Sequence, residues 1–190
     1  ISAKADVSDN DLLAEAGDDW VQTNGNLAGH RFSTLAQINA NNASNLKVDW
    51  IYSTGGSTNA QGPVIEHDNL LFFVQDNSIH AIHADSGIRA WRYDYEMPED
   101  FGGQFNPFFT GKHRGAAISG SNVYALTSDC TLIALNYKSG EETFVHKIDR
   151  PYPRDFETTA DGNGYFCTSN PVAIPGGKII VPMNATDTGG

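Results

Sequence analysis

Much is missing from this chain of 190 residues, and each gap excludes something. No stretch approaches the roughly 20 consecutive apolar residues that a membrane-spanning helix needs, and none has the apolar core of an export signal. Lysine and arginine number only 12 against 23 acidic residues, a net charge of −11. The basic residues are scattered, so the clustered positive surface that a phosphate backbone requires is absent and nucleic acid is not an expected partner. Cysteine occurs only at Cys130 and Cys167, outside any CxxC or zinc-ligand spacing. The two are either one disulfide, suited to an oxidising compartment, or a pair of buried thiols. There is no HExxH and no G-x-S-x-G elbow, and "DGNG" at 161–164 is followed by no strand-to-helix pattern that would make it a phosphate cradle. What is present, 39% hydrophobic and 18% charged residues, is the composition of a folded globular chain.

An internal repeat organises the middle of the sequence. "GPVIEHDNLLFFVQDNSIHAIHADSG" from Gly62 to Gly87 aligns without a gap on "GAAISGSNVYALTSDCTLIALNYKSG" from Gly115 to Gly140. Asn69 matches Asn122, Asp76 matches Asp129, Ala81 matches Ala134, and each unit ends in Ser-Gly. Three apolar runs of strand length lie in each unit between turn residues, and a large aromatic, Trp91 or Phe144, opens a fourth run just beyond. The pattern predicts four-stranded antiparallel units. Such units expose apolar faces that only neighbouring copies cover, so copies in series predict a β-propeller, an all-β fold. A third copy starts at Asn170-Pro171, with strands expected at 171–174 and 178–181. The chain therefore holds about two and a half blades and is expected to need the remaining blades, on a second chain or in the rest of the same polypeptide.

Ahead of the blades, "VSDNDLLAEAGDDW" predicts a short helix capped by Asp9 or Asn10 and ended by Gly17. Residues 46–53 then read as a lone strand of the kind that completes a propeller's last blade and closes the ring. The expected division is a 1–61 segment with helix, loop and ring-closing strand, and blades over 62–190, in a single domain.

The residues Trp20, Asn24, Arg31-Phe32-Ser33, Leu35, Gln37-Ile38-Asn39, Asn45-Leu46 and Trp50, followed by this repeat, resemble the amino-terminal part of the quinoprotein alcohol dehydrogenases. The resemblance covers essentially the whole chain. It implies an eight-bladed propeller that binds pyrroloquinoline quinone (PQQ) and a calcium or lanthanide ion on its axis, with contacts supplied by the loops entering each innermost strand. In "PFFTGKHRG", Arg114 matches the family arginine that contacts the quinone oxygens, while Phe108 and Phe109 stand where the family has adjacent cysteines and would cover the quinone face by stacking. Thr168 in "FCTSNP" matches a donor to a PQQ carboxylate. Ala60 replaces a family glutamate, and the adjacent Gln61 is the residue able to reach the same atom. In "MNATDTGG", Asn184 matches a PQQ-contacting serine and Asp187 the metal-ligating glutamate. The repeat adds its own pointer, because it places apolar Ile79 and Leu132 where Asp187 falls, and a carboxylate there is costly to bury unless paired or metal-bound.

The function so implied is oxidation of a small alcohol by the complete propeller, in the periplasm after removal of a signal, with electrons passing to a cytochrome c-type or quinone acceptor. A base takes the hydroxyl proton while hydride passes to the quinone. The family's catalytic aspartate falls beyond residue 190, so this chain would supply cofactor and metal contacts, no catalytic residue, and no activity alone. The alternative is a propeller without cofactor that serves as a binding or scaffold module, favoured by Ala60 and by Phe108-Phe109.

Overall fold

The computed structural model describes residues 4–55, 61–96, 98, 114–148, 165–167, 169–182 and 184–185. The first blade comprises β1 (Ile65–His67), β2 (Leu70–Gln75), β3 (Ser78–His83) and β4 (Arg89–Asp94), antiparallel and in chain order from inside to outside. The second repeats it with β5 (Ala117–Ser119), β6 (Asn122–Leu126), β7 (Thr131–Asn136) and β8 (Glu142–Lys147). The turns explain the register. Asp68-Asn69 and Asp76-Asn77 all adopt positive φ, from 50° to 63°. Two consecutive left-handed residues form the tight hairpin turn whose twist suits flanking strands, and Asx residues enter that region most readily after glycine.

The third unit begins as expected. β10 (Val172–Ile174) pairs antiparallel with β11 (Lys178–Ile180). Just outside it, β9 (Tyr165–Phe166) pairs with β12 (Asn184–Ala185), so the chain folds back around the entry to the third blade.

Facing sides of the blades form one continuous core. Ile65, Phe72 and Ile79 of the first blade meet Ile118, Val123, Ile133 and Tyr137 of the second, and Ala173 of the third joins them. A tryptophan docks the first blade on the second. The Trp91 ring lies on Gly140, where an added Cβ would sit 2.7 Å from Trp91 Cδ2, and its Nε1 donates to the Tyr137 carbonyl at 2.9 Å. Trp50 treats the first blade in the same way: an added Cβ on Gly87 would sit 2.5 Å from its ring, and its Nε1 donates to the Ala84 carbonyl at 3.0 Å. Phe144 holds the corresponding place on the second blade and is 47% exposed where Trp91 is 9% exposed, and among the described residues no glycine corner receives it.

The segment before the blades departs from expectation in two ways. Helix α1 (Asp9–Leu13) is capped by Ser8, not Asp9 or Asn10, and ends at Ala14 rather than at Gly17. A reciprocal box decides this: Asp11 N donates to Ser8 Oγ, and Ser8 N donates back to Asp11 Oδ2 at 2.8 Å. Residues 46–53 form no strand. A strand is defined by its partner, and among the described residues no neighbour pairs with them, leaving Val48 76% and Ile51 85% exposed.

The same segment ties the blades together at their inner edge. Val7 pairs with Gly120 of the second blade and Trp20 with Glu66 of the first, each through two backbone hydrogen bonds. Gly176 N donates to Asp9 Oδ2 and Gln22 Nε2 to the Ala173 carbonyl, both at 3.0 Å, which reaches the third blade.

Candidate functional site

The three innermost strands, β1, β5 and β10, are entered from the same end, and their entry residues converge. Gly115 adopts φ 123°, and a Cβ there would sit 3.0 Å from both Asn170 Oδ1 and Pro63 Cδ. Only glycine lets the second entry pass this close to the first and third. The sequence places a glycine at that point in both complete blades, Gly62 and Gly115.

A groove of 810 Å³ opens at this junction. Gln61, Gly62 and Pro63 line it from the first entry, Arg114 from the second, Ser169 and Asn170 from the third, and Trp20, Thr23, Asn24 and Arg31 from the preceding segment. Antiparallel pairing of Trp20 with Glu66 carries the chain from residue 20 back along β1 towards Pro63, which is why residues 20–31 reach the groove. Asn170 Nδ2 donates to Thr23 Oγ1 at 2.5 Å, fastening that segment to the third entry. Asn170 Oδ1 is buried and accepts no hydrogen bond from the described residues.

Two of the residues singled out in the sequence, Gln61 and Arg114, thus share one groove. Asn184 lies in β12, its backbone opposite Phe166, two residues beyond groove-lining Pro182. Phe108, Phe109, Thr168 and Asp187, like Ala60, lie outside the described residues. Among the described residues no group of three His, Cys, Asp or Glu side chains is arranged to hold a metal ion. Trp20, Asn24 and Arg31 figured in the sequence only as marks of resemblance, and Asn170 only as the start of a repeat. The signal that they meet was in the chain's path, not in any local motif.

Cys130 and Cys167 form a disulfide, which resolves the choice left open by the sequence. It joins the β6–β7 turn to the third entry, and Cys167 N adds a 3.2 Å hydrogen bond to the Ser128 carbonyl. The entry residues Ser169 and Asn170 follow directly, so the bridge fixes one wall of the groove.

A charged cluster lies behind Trp20. Lys4 Nζ donates to Asp19 Oδ1 at 2.7 Å, and His67 Nδ1 lies 3.2 Å from Asp19 Oδ2. Burial opposes ionisation of Asp19, but the Lys4 ammonium and His67 outweigh it and hold its carboxyl below the usual range. Glu66 takes the opposite course: burial, then the Asp19 charge, push it up to about 7. Its Oε1 accepts from Asn69 N at 3.0 Å, while Oε2 is buried with no partner among the described residues.

Repeated four-stranded blades, docked by tryptophans and converging through their strand entries on one groove, define a β-propeller. Residues 20–189 match the model of the PQQ family, described as the glucose/ethanol/alcohol dehydrogenase β-propeller domain, and the chain belongs to that family. It is 30% identical over 194 aligned positions to quinoprotein alcohol dehydrogenase PedH of Pseudomonas putida, covering 99% of this chain and 30% of that protein. It is 35% identical over 125 positions to 1-butanol dehydrogenase (quinone) of Thauera butanivorans, covering 64% of this chain and 19% of that protein. Among solved structures, quinohemoprotein alcohol dehydrogenase from Comamonas testosteroni superimposes with a TM-score of 0.72 at 25% identity, over 88% of this chain and 23% of that one. The chain spans less than a third of the length of these curated relatives.

Proposed function

We propose that this chain is the amino-terminal part of a PQQ-dependent alcohol dehydrogenase and forms one wall of its cofactor site. The observation that carries the reading is the groove where three strand entries meet, lined by two arginines and, among its described lining residues, no carboxylate. The residues suit PQQ, a flat tricyclic tricarboxylate. Gly62 lines the groove without a side chain, Asn170 Oδ1 is a buried acceptor with no donor among the described residues, and the guanidiniums answer the carboxylates.

PQQ, when bound, supplies the acceptor for the two electrons and the hydrogen taken from the alcohol carbon. Everything the chain contributes is binding and electrostatics. Arg114 brings a guanidinium, whose positive charge stabilises negative charge beside it. Gln61 offers a neutral amide, donor and acceptor, to the polar atoms of the cofactor. Trp20 and Pro63 present apolar surface that excludes water from the same space. The disulfide and the Asn170–Thr23 hydrogen bond hold the third entry still, which lowers the ordering cost of binding.

Asp187 is proposed as an oxygen ligand for a calcium or lanthanide ion, and Thr168, Asn184, Phe108 and Phe109 as further cofactor contacts, on the family match of their positions. The periplasm is the proposed compartment, supported by the disulfide. A cytochrome c-type or quinone acceptor is proposed, following the names of two Thauera relatives, 1-butanol dehydrogenase (quinone) and 1-butanol dehydrogenase (cytochrome c). The remaining blades would pair with residues 46–53 and cover Phe144, since Trp50 already docks on Gly87 as Trp91 docks on Gly140. Titrating the quinone-free full protein with PQQ, in the presence of calcium or a lanthanide, tests the reading: Arg114→Gln is expected to weaken binding about tenfold or more. Wild-type affinity in that variant would remove Arg114 from the site.

A further inference from the structure

Arg31 is not accounted for by the family match of the strand entries, and its geometry is unusual. It adopts φ 52°, in the left-handed region that a residue with a long side chain rarely enters. Two hydrogen bonds to one residue hold it there: Arg31 N donates to the Asn24 carbonyl at 2.9 Å, and Arg31 Nε donates to Asn24 Oδ1 at 3.0 Å. The side chain is therefore clamped at Nε and lines the groove beside Arg114. Among the described residues no carboxylate pairs with either guanidinium.

Among the described lining residues the groove thus holds two cations and no carboxylate, in a chain of net charge −11 that has carboxylates to spare. Asn24, which is neutral, satisfies Nε without cancelling the charge. That arrangement orients a positive group and keeps it available. We infer that Arg31 is a second anion-binding residue of the groove, taking a carboxylate of the cofactor through its terminal nitrogens while Asn24 positions it. The inference rests on the PQQ reading above and extends the site from the blade entries to the segment that precedes the blades. It gives that segment a recognition role besides its structural one: a tricarboxylate held from two separate elements joins them when it binds.

The test is PQQ binding to the quinone-free full protein, read by calorimetry and by quenching of tryptophan emission, to which groove-lining Trp20 contributes. Arg31→Gln is expected to raise Kd about ten- to a hundredfold, the size of a lost charge-assisted contact, and to flatten the dependence of Kd on salt. Its melting temperature without PQQ should stay close to wild type. Asn24→Ala should weaken binding by a smaller factor, since the charge remains but its direction is lost. Arg31→Lys, which keeps the charge without the Nε clamp, should fall between wild type and Arg31→Gln and serves as the probe if the glutamine variant folds poorly. Wild-type Kd in both Arg31 variants, with weakened binding in Arg114→Gln, overturns this inference and leaves the PQQ reading intact. Failure of the wild-type protein to bind PQQ overturns both.

Discussion

Replacing Gly140 with alanine perturbs the contact that docks the first blade on the second, and its cost can be worked out against a control in the same blade. Gly120 and Gly140 both adopt positive φ, 57° and 74°. An alanine at either site bears the left-handed penalty of about 1–2 kcal/mol. At Gly120 nothing lies within 4 Å of the added Cβ, so the penalty is the whole effect. At Gly140 the Cβ meets the Trp91 ring at 2.7 and 2.8 Å, and the ring is pinned by its 2.9 Å hydrogen bond to the Tyr137 carbonyl and packed against Phe72. Moving it adds about 1–3 kcal/mol of overpacking and, if the buried indole N–H loses its acceptor, about 1–3 more. Gly140→Ala should therefore cost about 2–5 kcal/mol, or about 3–8 if the indole hydrogen bond is lost, against about 1–2 for Gly120→Ala, measured by urea denaturation of the full protein. In a Trp91→Ala background the two alanines should cost nearly the same. Equal costs with Trp91 in place would refute the tight stacking on which blade docking rests.

Glu66 gives a pH dependence of known sign. Its folded pKa of about 7 lies above the ordinary glutamate value of 4.5, so the folded state holds the proton more tightly. The stability contributed is complete below about 4.5 and is lost as pH rises through about 7. Allowing for partial solvent screening the loss is about 1–2 kcal/mol, and Glu66→Gln should flatten that part of the stability–pH curve in denaturant titrations. Asp19 runs the other way: its depressed carboxyl contributes stability above its unfolded value that disappears as acid protonates it, and Asp19→Asn should remove this acid limb. Replacing both cysteines with serine should cost about 2–4 kcal/mol, and a reductant should lower the melting temperature of wild type but not of the serine variant.

The blades were legible because their signals are local. Asp-Asn pairs at the first two hairpin turns of the first blade, alternating apolar runs and the closing Ser-Gly each specify a short stretch of chain, and the second copy repeats the message in register. Gln61 and Arg114 were singled out by the family resemblance, and the repeat adds only that each stands directly before the glycine that opens a blade. Arg31, Trp20 and Asn170 could not be joined to them in advance: their meeting depends on a segment that runs antiparallel to β1 through a single bridge, for which the sequence has no pattern. Residues 46–53 show the converse case. Their composition is that of a strand, but the hydrogen bonds that make a strand come from a neighbour; here Trp50 donates to the Ala84 carbonyl and Tyr52 meets His80 through their side chains. Ser8 was passed over as a cap because two other capping residues follow it, and the return bond from Asp11 decides between them.

The central claim is that the converging strand entries form part of a quinone site. The most direct measurement is the amount of PQQ released on denaturing the protein purified with its remaining blades, after reconstitution with PQQ and calcium or a lanthanide. The account predicts one quinone per molecule, reduced in Arg114→Gln. A folded, complete propeller that retains no quinone under these conditions would contradict it and leave the cofactor-free scaffold as the better reading.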